Sequence, residues 1–104
     1  MQKYFLALAV LLAGSQPVAA ADLIGNACLK SGRPGASREL CGCIQTVADL
    51  YLSRKDQKLA ATFFKDPHRA QEVRQSDRRR DEAFWQRYKA FGAAAEEGCD
   101  PNRQ

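Results

Sequence analysis

Apolar and polar residues are distributed along this chain in two regimes. Residues 4–13 (YFLALAVLLA) form one continuous apolar run, whereas from position 22 onward apolar residues recur at intervals of three and four among charged ones. The first regime is preceded by Lys3 and followed by small residues around Pro17. A charged start, a short apolar run and an A-x-A-like end, at Ala19-Ala20-Ala21 or Val18-Ala19-Ala20, make a cleavable secretory leader over 1–21. The mature chain then starts near Ala21 or Asp22. The apolar run is too short to span a bilayer, and no later stretch approaches the roughly 20 residues that a spanning helix needs. Ser15 ends a Leu11-Leu12-Ala13-Gly14 segment where lipid attachment would require cysteine, so no lipid anchor is expected.

The second regime has helical spacing and no alternating strand pattern. A first helix is predicted over about 22–31, with Asp22 as its cap, Leu23, Ala27 and Cys28 on one side, and Gly32 placed to end it. Residues 31–36 (SGRPGA) are a loop by composition. Ser37 then caps a helix over about 38–52, whose buried face would be Leu40, Ile44, Val47 and Tyr51. Ser53 and Asp56 have the spacing of a capping box, opening a third helix to about Lys65 with Leu59, Thr62 and Phe63 inward. Asp66-Pro67 repeats the start signal, a cap followed by proline in the first turn. The resulting short helix over about 67–75 has only Ala70 and Val73 to bury. The last helix, about 81–97, gathers Phe84, Trp85, Tyr88, Phe91, Gly92 and Ala95 on one arc that Cys99 extends. Gly92 in that arc suggests the close approach of another helix, and 100–104 should be a disordered polar tail. The expected fold is one all-α domain over 22–99, a small bundle of four to five short helices.

So short a chain buries only roughly 60–65% of its unfolded surface, a thin margin against chain entropy. The four cysteines are the expected remedy, since behind a secretory leader they meet an oxidising compartment. Cys41 and Cys43 are two residues apart on one helix and so point about 160° apart. Each can reach a different neighbour, the first helix through Cys28 or the last through Cys99. Cys28–Cys41 with Cys43–Cys99 is preferred here, and Cys28–Cys43 with Cys41–Cys99 stays open. Two chemical readings compete with structural staples. Cys41-Gly42-Cys43 near a helix N-terminus could serve thiol–disulfide exchange, because a thiol there has a depressed pKa. A four-thiolate zinc site would normally present two close cysteine pairs, and here there is one.

Charge narrows the partners. The precursor carries a formal +4, and Lys3 is the only charged residue of the leader, which leaves the mature chain at +3. That balance suits acidic proteins or anionic envelope surfaces and gives no argument for nucleic acid. Arg78, Arg79 and Arg80 are consecutive, Arg74 precedes them by four residues, and these are the candidate anion- or partner-binding residues. Cations in a first helical turn oppose the macrodipole. Either the arginines precede the helix, or something anionic compensates them. The plain alternative is a solvated charge run offset by Asp77, Asp81 and Glu82. His68 and Glu72 have the spacing of a helical metal pair, but two ligands make no site. No nucleophile has a base partner at a recognisable spacing, so no catalytic residues, metal or cofactor are expected.

Residues 61–92 (ATFFKDPHRAQEVRQSDRRRDEAFWQRYKAFG), together with Leu40-Cys41-Gly42-Cys43-Ile44-Gln45, resemble a family of small exported bacterial proteins of unknown function. Some of its members bear the label "arginine transporter". The resemblance implies association with, or regulation of, a transport system, and carries no binding residues over. A looser likeness, in size and cysteine number alone, is to periplasmic all-α immunity proteins that block toxins. The sequence reading is therefore a periplasmic or secreted, non-enzymatic interaction module of the cell envelope, contacting its partner through the last two helices. Thiol–disulfide exchange at Cys41 and Cys43 and a toxin-blocking role are the alternatives.

Overall fold

Among the described residues, three of the five helices begin on a side chain that caps them. In the computed structural model, which describes residues 22–100, the helices are α1 (Leu23–Lys30), α2 (Arg38–Tyr51), α3 (Arg54–Lys65), α4 (Pro67–Arg74) and α5 (Arg79–Cys99). The leader expected over 1–21 and residues 101–104 of the expected tail lie outside the described residues. Ser37 Oγ accepts the Leu40 amide at 3.0 Å, Ser53 Oγ accepts that of Asp56 at 3.1 Å, and Asp66 Oδ1 accepts that of His68 at 3.2 Å. Each such cap stabilises its helix by about 1 kcal/mol.

The other two starts differ from expectation. Asp22 makes no side-chain cap. The amides of Ile24 and Gly25 donate instead to Gln45 Oε1 of α2, each at 2.8 Å. Helix α5 begins at Arg79 rather than Asp81, with Arg78 as an N-cap whose side chain accepts nothing, and it runs on to Cys99. The loop between α1 and α2 turns through Gly32 and Gly35 at φ 72° and 88°, left-handed values that other residues rarely adopt.

Helix α1 lies against α2 and α3, α2 packs on α5, and α4 bridges α3 and α5. Burial of apolar surface at these contacts is the main favourable term. Ile24, Ala48, Leu52, Ala60, Phe63, Val73, Phe84 and Phe91 form the core. Phe63 meets Phe84 and Tyr88 edge-on, with centroids 6.1 and 5.3 Å apart, and Tyr88 stacks on Phe84. Thus α5 is the aromatic wall its spacing predicts.

The buried face of α2 is turned from the expected one. Cys41, Gln45, Ala48 and Leu52 face inward, Ile44 and Val47 flank them, and Tyr51 is 42% exposed. The cause is α1, which crosses α2 at Gly25. A Cβ built on Gly25 would sit 3.5 Å from the Cys41 carbonyl and from Gln45 Cβ. The close approach therefore falls at Gly25 and not at Gly92, which is exposed with nothing within 4 Å of a Cβ. Thr62 is also exposed, its hydroxyl donating to the Leu59 carbonyl.

Both disulfides join helices. Cys28–Cys41 ties α1 to α2 with a Cα separation of 5.6 Å, and Cys43–Cys99 ties α2 to the end of α5 at 5.8 Å. The preferred pairing is the one formed: Cys41, on the inner face of α2, meets α1, and Cys43 on the other side meets the end of α5. On the chain-entropy estimate these loops contribute about 3 and about 4 kcal/mol. Bonds of this kind persist in oxidising, extracytoplasmic compartments. No helix among the described residues is long and apolar enough to cross a membrane.

Candidate functional site

A strongly charged concavity lies where α3, α4 and the start of α5 meet. It is a groove of about 710 Å³ over a floor of Leu59, Val73 and Phe84. Helix α3 contributes Lys55 and Asp56, α4 contributes Arg69 and Glu72, and α5 with its N-cap contributes Arg78, Arg80, Asp81 and Arg87. Its volume falls in the roughly 300–1,000 Å³ range of ligand clefts.

Two ion pairs line the groove, and one of them joins two helices. Arg87 Nε donates to Asp56 Oδ2 at 2.7 Å and its Nη2 to Asp56 Oδ1 at 3.0 Å, a bidentate bridge between α5 and α3. The Asp56 side chain is 10% exposed and that of Arg87 47%, so the carboxylate leaves water and the guanidinium only half does. The hydrogen-bonded guanidinium holds the Asp56 carboxyl below its ordinary 3.8, against burial, and the Ser53 amide and hydroxyl act in the same sense. Asp56 in turn pushes Arg87 up. On the α4 side Arg69 Nη1 donates to Glu72 Oε1 at 3.4 Å, both exposed. Lys55, Arg78 and Arg80 take part in no ion pair among the described residues.

The four candidate arginines do not share one face. Arg78 and Arg80 line this groove, whereas Arg74 and Arg79 line a shallower depression with Glu82 and Trp85. Arg79 is turned about 100° from Arg80 within the helix, whereas Arg78 stands in an extended conformation ahead of it, so the three do not share one face. Arg74 Nη1 donates to Gln71 Oε1 at 3.3 Å within α4. The expectation that 78–80 precede the helix is replaced by a start at Arg79, which puts Arg79 and Arg80 in the first turn.

Elsewhere the candidate chemistry is quickly placed. Cys41 and Cys43 are bonded to different helices rather than to each other, and no free cysteine occurs. His68 Nε2 lies 3.8 Å from Glu72 Oε2 on the surface of α4. No group of three or more His, Cys, Asp or Glu side chains gathers among the described residues.

Two functional arrangements had only faint signals in sequence. Asp56 reads as a capping-box member, and its bridge to Arg87 is visible only once α5 is laid on α3. The hint was that Arg87 follows Phe84 by three residues and so borders the buried arc. Gln45 is the other case, a polar residue set between Cys41 and Ala48 on what proves to be the inner face.

No known protein family, no curated protein and no solved structure matches the chain. The described residues form a disulfide-stapled five-helix domain with a mainly cationic cleft between α3, α4 and α5.

Proposed function

We propose that the protein is a non-enzymatic interaction module of the cell envelope, exported to the periplasm or beyond after loss of residues 1–21, and that the α3–α4–α5 groove contacts an anionic partner. One observation carries this reading. Arg78 and Arg80 stand at the N-cap and in the first turn of α5, where the macrodipole disfavours cations by about 0.3–1 kcal/mol each, and neither has an ion pair among the described residues. At the N-cap, where α2, α3 and α4 carry Ser or Asp, α5 carries Arg78. Local rules are broken mainly where function requires it.

The resemblance of residues 61–92 to exported proteins labelled for arginine transport would make that partner a component of a transport system. A thiol-exchange role is less well supported, since Cys41 and Cys43 are both engaged in inter-helix bonds.

The test is an in-cell photo-crosslinking experiment with a photoreactive residue at the position of Lys55. A discrete crosslinked species in the envelope fraction, lost in Arg78→Glu/Arg80→Glu, is the expected result. An unchanged pattern in that variant would rule out the groove as the contact surface.

A further inference from the structure

We infer that the ligand of the groove is an acidic peptide segment of a protein partner, with spaced carboxylates paired to Lys55, Arg78 and Arg80. This rests on the reading of the groove as a contact surface and adds the chemical class of what it contacts. The composition of the walls decides it. Five cations line the groove beside three carboxylates, so its excess is +2. The Arg87–Asp56 and Arg69–Glu72 pairs satisfy two of each. What remains is three cations and a single acid, Asp81, distributed over α3 and the start of α5.

A compact dianion such as phosphate needs its cations converging on one point, and here the fixed carboxylates would crowd it. An anionic lipid surface needs cations on one plane. These line the walls of a concavity, and Arg74 and Arg79 turn to a separate depression. A polypeptide meets both constraints. Its carboxylates are single charges set apart along a chain, and its backbone amides can donate to Asp81. The floor of Leu59, Val73 and Phe84 accepts apolar side chains. The α3 and α5 walls are helices locked through Phe63, Phe84 and the Asp56 bridge, so binding orders side chains but little backbone. Exposed charge pairs contribute little each, which makes the interaction weak, fast and salt-sensitive.

The experiment is titration of the mature, oxidised protein with blocked hexaglutamate, with inorganic phosphate, and with vesicles containing anionic phospholipid. The proteins compared are wild type, Arg78→Glu/Arg80→Glu, and Arg74→Glu/Arg79→Glu, which has the same net charge. Glutamate in the first turn of α5 suits the helix dipole, so the groove variant should fold at least as well as wild type, as its unfolding midpoint will report. Hexaglutamate is expected to bind wild type and the Arg74/Arg79 variant within about threefold of each other. The Arg78/Arg80 variant should bind at least about tenfold more weakly, and wild-type binding should fade with added salt. Binding of vesicles or phosphate in preference to the peptide, lost in the same variant, would overturn the peptide inference and leave the groove as the contact surface. Equal losses in both variants, or no binding of any probe, would overturn the groove itself.

Discussion

The side-chain carbonyl of Gln45 lies 2.8 Å from the backbone amide of Ile24 and caps a helix to which it does not belong. The same oxygen accepts from Gly25, while Gln45 Nε2 donates to Asp49 Oδ1 and Gln57 Oε1 at 2.8 and 2.9 Å. Gln57 Nε2 closes the network on Asp49 and on the Leu52 carbonyl. Gln45 and Gln57 are only 6% and 5% exposed, yet each finds partners on both ends of its amide. Three helices thus meet on one satisfied polar cluster, an arrangement that specifies their relative positions more sharply than apolar packing alone.

Gln45→Ala therefore strands two amides of α1 and the Gln57 carbonyl oxygen. A loss of about 2–4 kcal/mol is expected, from the usual penalty for leaving buried polar groups unpaired. Urea unfolding measures the loss. Hydrogen exchange at Ile24 and Gly25 identifies its origin, since these amides should lose protection beyond the global change. Unaltered relative protection there would show that Gln45 is not their cap.

Helices α2, α3 and α4 were legible because each begins on a signal that acts locally: Ser37, Ser53 and Asp66-Pro67 are caps whose effect needs no other part of the chain. The disulfide pairing was partly legible, since the 160° between Cys41 and Cys43 separates their partners but does not say which side faces which. What escaped was everything set by the rotation of one helix on another. Gly25, not Gly92, takes the close contact, Tyr51 yields its inward place to Leu52, and Asp56 meets Arg87. For the same reason the run of arginines was visible, but its division between two depressions was not.

Gly92→Ala should stabilise the domain. The position is exposed within α5 and has open space around a Cβ, so the substitution removes the entropic penalty of glycine in a helix, about 0.5–1 kcal/mol. A raised unfolding midpoint is the expected outcome. A drop would mean that a neighbour lies over Gly92 after all.

The two disulfides should open in a fixed order under limiting reductant. Exchange requires a thiolate to reach a sulfur. Cys41 and Cys28 are 1% and 5% exposed, whereas Cys43 is only half-buried. Cys43–Cys99 is expected to reduce first, with alkylation at those two positions read by peptide mass spectrometry. Removing that bond by Cys43→Ala/Cys99→Ala should lower stability by about 4 kcal/mol, the larger of the two chain-entropy effects. Initial labelling at Cys28 and Cys41 would contradict the burial on which the order rests.

Acid stability should depend on the Asp56–Arg87 bridge. The folded-state pKa of Asp56 lies below 3.8 chiefly because Arg87 hydrogen-bonds its carboxylate. A depressed carboxyl pKa contributes stability that is fully present above the unfolded value and is lost as pH falls through the folded one. The contribution should therefore be constant from neutral pH down to about 5 and decline below about 4. Arg87 is half-exposed, so water screens part of the interaction, and about 1–2 kcal/mol is expected at neutral pH. In Arg87→Gln the Asp56 pKa returns toward its ordinary value. That variant should be less stable than wild type at pH 7, and the gap should narrow as both are taken to pH 2. Urea midpoints for both proteins across that range measure the convergence. Parallel curves would mean that the bridge contributes nothing that titrates with Asp56, and that α3 and α5 are held by Phe63, Phe84 and Tyr88 alone.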